Sequence, residues 1–353
     1  MVGPFDHHHR LDGNADCIYS GLCGSAIYLF DFLATVLRKI SVNFLIALIS
    51  ILIGISLCEL AARAIGLGRP LLYNSDPLVG FRLKPNQSEQ RRKGALVTVD
   101  KEGFRVDPMQ SGKIGEESIV FVGDSVTYGG SYINDSDLFS SLYCGDTVYY
   151  CLNNGVNAWG IYNMGRFMSN FNVYSERSPE KFILVVLPGD ESRNLSSLSD
   201  TPFWGSLPVQ PAGVNEILSY LMWSQVMPSL RSKHPVSGPA DENKKLAISE
   251  LQREIAWGDL ARYISLSMYP VDVVVTPPKK WFYGKSQSEI IWYRDKLEQL
   301  KASKNVASVC NLFDFIEQGS GSPEAFYVDS AHLSVNGHKE WAVSLKRCQK
   351  VKS

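Results

Sequence analysis

The sequence predicts a three-layer α/β/α fold with a parallel five-stranded sheet, preceded by a transmembrane helix. Short apolar runs alternate with helical segments from Ser118 onward, which is typical of parallel α/β domains. Phe182–Leu187 is apolar at every position, as expected for a strand that is covered on both faces. A run of 19 residues without a charge, Ile40–Cys58, is the third observation and indicates the membrane helix.

The first segment, residues 1–39, is predicted to be a polar tail followed by a short interfacial helix. Ile27–Leu37 is apolar but too short to span a bilayer alone, and Asp31 interrupts it. The triplet His7–His9 could bind a metal, but a solvated tail is the better interpretation.

Residues 40–66 are predicted to be a single-pass membrane anchor. At 1.5 Å per residue, Ile40–Cys58 forms a helix about 28 Å long, close to the hydrocarbon thickness of a membrane. A cleaved signal peptide would end at a small-residue cleavage site, whereas this run continues through Glu59 into further helical sequence. Arg38 and Lys39 favour a cytoplasmic N-terminus, although arginines on the other flank reduce the asymmetry.

Residues 67–117 are predicted to be a lead-in segment that packs on the main domain. The segment is rich in glycine, proline and charge. Val97–Val99 and Gly103–Val106 are expected to form a small hairpin around Asp100–Glu102.

Residues 118–353 are predicted to be the main α/β domain. Its strands are expected in the apolar runs Ser118–Gly123, Thr147–Leu152, Phe182–Leu187, Val271–Thr276 and Val306–Val309. Its helices are expected near Leu138–Tyr143, Gly160–Asn172, Glu289–Lys301 and Asn336–Cys348. Helical, loop-rich sequence at about 195–268 is predicted to be an insertion that serves as a cap or partner surface.

The charge and the sequence motifs limit the kinds of partner and cofactor that we expect this chain to bind. The formal net charge is −1, and no basic stripe with interleaved aromatic residues is present, so we expect no nucleic-acid partner. We expect no cofactor, because no phosphate-cradling glycine loop occurs, and no metal, because no cysteine or histidine cluster has zinc spacing. The sequence predicts no oligomeric state.

Four cysteines lie beyond the predicted membrane helix, and that even number permits two disulfides. Cys144 and Cys151 flank a short turn, while Cys310 and Cys348 would join a late strand to the terminal helix. Free buried thiols are the alternative, because cysteine is commonly buried without pairing.

Ser125 is the candidate nucleophile, because it follows the first strand at a tight turn, where parallel sheets expose active sites. A serine hydroxyl needs a base, which His332 can supply. Asp329 lies three residues before that histidine, so one turn of backbone can bring its carboxylate to the imidazole. These residues could alternatively be a helix cap and a structural hydrogen-bonded pair.

Three sequence blocks resemble those of the SGNH (GDSL-type) hydrolases. Gly123-Asp124-Ser125 is similar to the first block, Asn153–Gly160 to the second and Asp329–His338 to the fifth. The resemblance covers roughly Ser118 to Cys348, and the anchor with the later Gly103-Phe-Arg105 is similar to membrane-tethered members. It implies a flavodoxin-like α/β/α fold and hydrolysis or transfer of an ester acyl group.

The same resemblance implies a role for each residue of the site. The nucleophile would be Ser125, the base His332 and the orienting acid Asp329. The backbone amides of Ser125 and Gly155 would bind the oxyanion.

The third block departs from the family pattern. The family has an asparagine there that donates to the oxyanion, whereas Gly189 occupies that place in this chain. Losing one oxyanion donor costs about 2.7–4 kcal/mol. Either Asn194 or Asn157 substitutes from nearby, or the enzyme is slow, or the site has lost activity.

Several other residues have more than one interpretation. Trp281 and Tyr283 follow the fourth strand and could line a substrate platform, or they could plug the core. The pair Asp190–Glu191 is interpreted as a solvated loop as readily as part of the site. We expect His338 on the surface of the terminal helix.

The leading hypothesis is a membrane-tethered serine esterase, an acyl-ester hydrolase or acyltransferase, with its catalytic domain on the extracytoplasmic (periplasmic) side. Its substrate would be an acylated glycan or lipid of the cell envelope, by analogy with the family. The alternative is a catalytically impaired SGNH-like protein that binds envelope glycan or organises partners. The altered third block favours that alternative.

Overall fold

The computed structural model describes residues 16–113, 117–195, 197–223, 239–284, 286–316 and 322–350. It divides into one compact unit that ends at Cys58 and another that begins at Glu59. The histidine triplet His7–His9 lies outside the described residues.

Helix α1 (Asp16–Ala64) is continuous over 49 residues. The prediction of a separate interfacial helix at Ile27–Leu37 is therefore wrong. That segment joins the membrane-length helix through Arg38 and Lys39, which are good helix formers, so nothing in the sequence ends the first helix there. Within α1, Val42–Ala64 is 23 residues long and contains an 18-residue apolar window that is unburied, so its length and composition suit a membrane crossing.

Strands and helices alternate in the second unit. The described strands are β1 (Tyr73–Asp76), β2 (Gly80–Leu83), β3 (Gln87–Gln90), β4 (Leu96–Val99), β5 (Ser118–Gly123), β6 (Tyr150–Gly155), β7 (Lys181–Val186), β8 (Val271–Val275) and β9 (Val306–Asn311). The described helices after α1 are α2 (Ser125–Tyr128), α3 (Phe139–Gly145), α4 (Ile161–Ser169), α5 (Ala212–Leu221), α6 (Pro239–Leu266), α7 (Gln287–Leu300), α8 (Pro323–Phe326) and α9 (Val335–Lys350).

The main sheet has five parallel strands in the order β6-β5-β7-β8-β9, which confirms the predicted fold class. After β5 the chain first adds β6 on one side and then returns to add β7 on the other. The carboxyl end of β5 is thus the topological switch point, where open α/β sheets form their binding crevices. Gly123, the last residue of β5, lies opposite Gly155 and Val185 of the neighbouring strands.

Both faces of the sheet are covered, because side chains alternate along each strand. Along β5, Ile119 and Phe121 belong to one core cluster and Val120 and Val122 to the other. The first cluster includes residues of α3 and α9, and the second includes residues of α4, α6, α7 and the lead-in segment. This is the three-layer arrangement.

The lead-in segment packs against the main sheet. Asp100 closes a turn by bonding Phe104, and Val99 pairs with Arg105 across the expected hairpin. Arg105 also exchanges two backbone hydrogen bonds with Asn153, of 2.8 and 3.0 Å, and so extends the sheet beyond β6. The hairpins β1–β2 and β3–β4, absent from the sequence prediction, complete the segment.

Part of the predicted insertion at 195–268 is a layer of the domain. Helix α6 packs against α4 near its carboxyl end, and Trp257, Leu260 and Ile264 are fully buried there. Their spacing places them on one face of the helix. The many charged residues around them hide this apolar pattern in the sequence.

Both permitted disulfides are present in the structure. Cys144 pairs with Cys151 across the turn between α3 and β6, and Cys310 of β9 pairs with Cys348 of α9. The alternative of free thiols at these four positions is therefore wrong. Cys58 is a free cysteine and is exposed.

Candidate active site

Ser125 begins α2 immediately after β5, on a tight strand–helix turn. Asp124 caps this short helix, because its Oδ1 accepts a hydrogen bond of 2.8 Å from the Val126 amide. A side chain at Gly123 would place its Cβ only 2.1 Å from Thr127 Oγ1, so the turn closes only over glycine. The hydroxyl of the half-buried Ser125 therefore sits at the sheet edge in a fixed position.

The structure brings the three predicted residues Ser125, His332 and Asp329 together. Nε2 of His332 lies 2.8 Å from Ser125 Oγ, and Nδ1 lies 2.7 Å from Asp329 Oδ2. Oδ1 of Asp329 accepts hydrogen bonds from the Ala331 and His332 amides, at 2.9 and 2.8 Å. These bonds close a tight loop that fixes the carboxylate against the imidazole.

The electrostatics keep the Asp329 carboxylate ionised. Partial burial alone would raise its pKa, but the backbone hydrogen bonds and the His332 ring outweigh burial and lower the pKa below its usual value. An ionised carboxylate at Nδ1 holds the imidazole so that Nε2 can accept the serine proton. The arrangement can thus generate an alkoxide-like nucleophile at neutral pH.

Arg193 joins three loops at the carboxyl edge of the sheet and was missed in the sequence. Its Nη1 lies 3.0 Å from Asp124 Oδ2 and 2.8 Å from Asp190 Oδ1, and it donates to the Trp159 carbonyl at 2.7 Å. A Cβ on Gly160 would approach the Arg193 Cβ to 2.6 Å, so glycine is needed for this close contact. The arginine holds the loops after β5, β6 and β7 in register.

The prediction of a solvated loop at Asp190–Glu191 is wrong, because both side chains are buried. Asp190 Oδ2 accepts from the Leu187 amide, and Glu191 accepts from Tyr293 and pairs with Arg253. Burial, aided by nearby Asp124, raises the pKa of Asp190 well above its usual value, although Arg193 opposes the shift. These acids are internal supports of the loop.

The expected oxyanion role of the Gly155 amide does not fit the structure. That amide donates to Oδ1 of Asn153 at 2.8 Å, so its proton is already engaged. A Cβ on Gly155 would lie 2.0 Å from the Tyr128 amide nitrogen. This glycine instead lets α2 pack directly on the end of β6.

The backbone amide of Ala158 is an alternative candidate donor. It lies exposed in the loop after β6 with a φ of 65°, a left-handed conformation that favours glycine. Its amide makes no hydrogen bond with any residue in the described ranges. Such strained residues cluster at active sites. The amide of Ser125, the first in α2, is likewise among those that a helix leaves unpaired.

Neither asparagine proposed to replace the third donor is positioned by the structure for that role. Nδ2 of Asn157 donates to the Tyr73 hydroxyl at 2.9 Å, and Asn194 is exposed. Gly189 has a φ of 108°, and its amide donates to Glu191 and Tyr293. The loop at Gly189 therefore contributes no side-chain amide at the family position.

Two further predictions are corrected by burial. Trp281 is only 1% exposed and donates a hydrogen bond to Glu289, so it is a core residue and not part of a substrate platform. Tyr283 is half exposed, and its hydroxyl donates a hydrogen bond to Glu324. His338 is fully buried and not on the helix surface, because its Nδ1 accepts from the Phe139 amide at 3.1 Å.

Among the described residues, no group of three or more histidine, cysteine or acidic side chains is arranged to hold a metal ion.

Comparison with known proteins identifies similar folds at low sequence identity. No family model matches the chain, and no curated protein matches it. A member of the lipolytic G-D-S-L family from Veillonella parvula is 12% identical, with a TM-score of 0.38 over 65% of this chain and 97% of that one. An acetylxylan esterase from Geobacillus stearothermophilus is 13% identical, with a TM-score of 0.39 over 66% and 93%.

An α/β hydrolase enzyme from the metagenome of Lake Arreo, Spain, is 12% identical, with a TM-score of 0.38 over 67% of this chain and 97% of that chain. Similarity at this level supports no statement about the reaction of this chain. The chemistry must be argued from its own side chains on the three-layer α/β/α fold.

Proposed function

We propose that the chain is a membrane-tethered serine esterase, a hydrolase or an acyltransferase, that acts on an acylated glycan or lipid of the cell envelope. One observation carries the proposal: Ser125 Oγ, His332 and Asp329 Oδ2 form a continuous hydrogen-bonded chain with links of 2.8 and 2.7 Å. The serine lies at the switch point of the sheet, where open α/β sheets form their binding crevices.

In the proposed reaction, Ser125 Oγ attacks the ester carbonyl while His332 Nε2 takes its proton. The histidine then gives that proton to the departing alkoxide, and Asp329 stabilises the transient imidazolium. Water or an acceptor hydroxyl next attacks the acyl-enzyme and regenerates the serine. The amides of Ser125 and Ala158 would bind the oxyanion in both steps.

Two features support the tether and its location. Val42–Ala64 has the length and composition of a membrane span. The disulfides Cys144–Cys151 and Cys310–Cys348 are typical of oxidising compartments, which favours an extracytoplasmic (periplasmic) domain.

A second candidate function is a catalytically impaired protein that binds envelope glycan or organises partners. Gly189 supplies no side-chain donor, and the Gly155 amide is engaged by Asn153. Each missing oxyanion donor costs about 2.7–4 kcal/mol of transition-state stabilisation. Two missing donors without replacement would leave little turnover.

Substitution of the nucleophile tests both candidates. We expect the native chain to hydrolyse p-nitrophenyl acetate and to be labelled by a fluorophosphonate, and Ser125→Ala to abolish both signals. The control is Ser288→Ala, at an exposed serine on α7, which should change neither. Turnover that survives Ser125→Ala would exclude the proposed nucleophile. A native chain that binds glycan but gives neither signal would support the second candidate.

A further inference from the structure

A cavity of about 340 Å³ is lined in part by residues that follow Ser125 and β6 in the chain. Tyr128 of α2 and Ser131 just after it form one wall, and Asn157 of the loop after β6 adjoins them. These residues follow the carboxyl ends of β5 and β6, so this wall belongs to the same edge of the sheet as Ser125. The lead-in segment, residues 202–204 and α5 provide the other walls.

The polar side chains of the cavity wall are largely paired with one another. Arg91 bonds Glu216 at 2.6 Å, and Asn157 donates to Tyr73 at 2.9 Å. The hydroxyls of Tyr128 and Ser131 lie 2.8 Å apart. These pairs neutralise the charge and occupy donors that a sugar would need for its hydroxyls.

The remaining wall is mainly apolar. Its aliphatic and aromatic members include Leu67, Leu71, Phe203, Trp204, Ile217 and Leu221. A hydrocarbon chain gains from burial in such a space without requiring any hydrogen bond.

The position of the cavity along the chain suggests where its ligand comes from. Leu67 lies three residues beyond Ala64, the last residue of the membrane-length helix. Three residues span about 10 Å at most, so this wall is close in sequence to the end of a candidate bilayer span. A bilayer is also the main source of long acyl chains.

We propose that this cavity binds the acyl chain of a membrane-lipid ester whose carbonyl is attacked by Ser125. The inference rests on the proposed function and specifies its substrate. The Ser125 Oγ–carbonyl bond forms as the ester C–O bond to the lipid breaks, and the serine proton passes through His332 to the departing oxygen. Water then releases the fatty acid and restores the serine.

The first experiment compares two esters with the full chain in phospholipid nanodiscs. We expect p-nitrophenyl decanoate to be a better substrate than the acetate by kcat/KM. Ile217→Trp, which fills the cavity, should lower the decanoate-to-acetate ratio by at least about tenfold. The control is Leu218→Trp at the next position, which is 53% exposed and outside the cavity wall, and it should leave the ratio unchanged. An unchanged ratio in Ile217→Trp would overturn the proposal.

The second experiment is independent of catalysis. Full-length Ser125→Ala in nanodiscs is irradiated with a diazirine analogue of decanoic acid, and the labelled peptides are mapped. We expect labels within 67–73, 202–204 and 216–221 that excess decanoate removes. Adding Ile217→Trp should remove them and adding Leu218→Trp should not, with thermal unfolding showing that both proteins are folded.

The two experiments separate the two proposals. Labels that map elsewhere, or that persist in the Ile217→Trp protein, would overturn the acyl cavity even in an active esterase. Labels in the cavity of a native chain without esterase activity would overturn the esterase and support acyl binding.

Discussion

Arg193 shows how one side chain determines the geometry of this site. Asp124 and Asp190 end on the same guanidinium nitrogen, and both carboxylates are almost completely buried. Two buried carboxylates at neighbouring strand ends repel each other unless a cation lies between them. The cap of the serine-bearing helix therefore depends on a residue from the loop after β7.

Replacing Arg193 with methionine should strongly destabilise the protein. The change leaves two buried acids without a counter-charge. We expect a loss of about 3 kcal/mol in the free energy of unfolding, at the low end for buried pairs because the guanidinium is 35% exposed. Urea unfolding at pH 7 measures the loss.

Arg262→Met is the matched control for this prediction. Arg262 pairs with Asp259 on the surface, with 61% of its side chain exposed, and such pairs contribute about 1 kcal/mol or less. Equal losses in the two variants would show that Arg193 is no more than a surface ion pair.

The sequence predicts the three candidate catalytic residues but not the backbone around them. Ser125 follows a recognisable strand, and the three-residue spacing of Asp329 and His332 allows their contact in any tight loop. The left-handed conformation of Ala158 leaves no sign in an alanine, and the bond from Gly155 to Asn153 depends on how a side chain folds over a strand end. Arg193 could have been sought by asking what neutralises two acids that follow adjacent strands.

At the scale of elements, the lead-in segment supports the helix that carries the candidate nucleophile. Arg105 is completely buried, pairs with Asp135 at 2.8 Å, and donates to the carbonyls of Tyr128 and Gly130 at 2.7 and 2.8 Å. These carbonyls belong to the end of α2 and the turn after it. The hairpin at β4 thus fixes the segment that follows Ser125.

A chain that begins at Ser118 should therefore fail to form the site. It lacks Arg105, leaves the carbonyls at Tyr128 and Gly130 without their donor, and exposes the edge of β6. We expect no fluorophosphonate labelling, whereas a chain that begins at Glu59, the start of the compact second unit, should be labelled. Equal labelling rates for the two chains would refute a supporting role for the lead-in segment.

The elements that the sequence predicted best are the buried strands. Five apolar runs were enough to identify the sheet, but β6 begins at Tyr150, three residues after the predicted start at Thr147. Thr147 instead bonds the Cys144 carbonyl and closes the turn after α3. Strand boundaries set by such turn contacts are not visible in hydrophobic patterns.

At the scale of the whole molecule, the buried His338 makes the free energy of unfolding depend on pH. It lies between α9 and α3, where its ring stacks on Phe139. Burial, and secondarily the charge of Arg105, lowers the pKa of His338 to about 3. In the unfolded chain the pKa returns to about 6.5, so the unfolded state binds the extra proton between these values.

The free energy of unfolding should fall as the pH drops from about 6.5 toward 3, with this histidine contributing up to about 1.4 kcal/mol per pH unit. His338→Gln lowers stability at neutral pH but removes that proton, so its stability should depend less steeply on pH. Urea unfolding at several pH values between 7 and 4 compares the slopes. Parallel slopes for the two proteins would contradict the assignment.

The disulfide from Cys310 to Cys348 links the candidate site to the redox state of its compartment. It closes a loop of 38 residues that contains Asp329 and His332, while Ser125 lies outside it on the sheet. Such a closure restricts the unfolded chain and stabilises the fold by about 4 kcal/mol. Before oxidation, the base and acid lie on a segment without this clamp. For the extracytoplasmic esterase proposed above, oxidation of these two thiols would follow export, so the clamp on the segment with Asp329 and His332 would form only in that compartment.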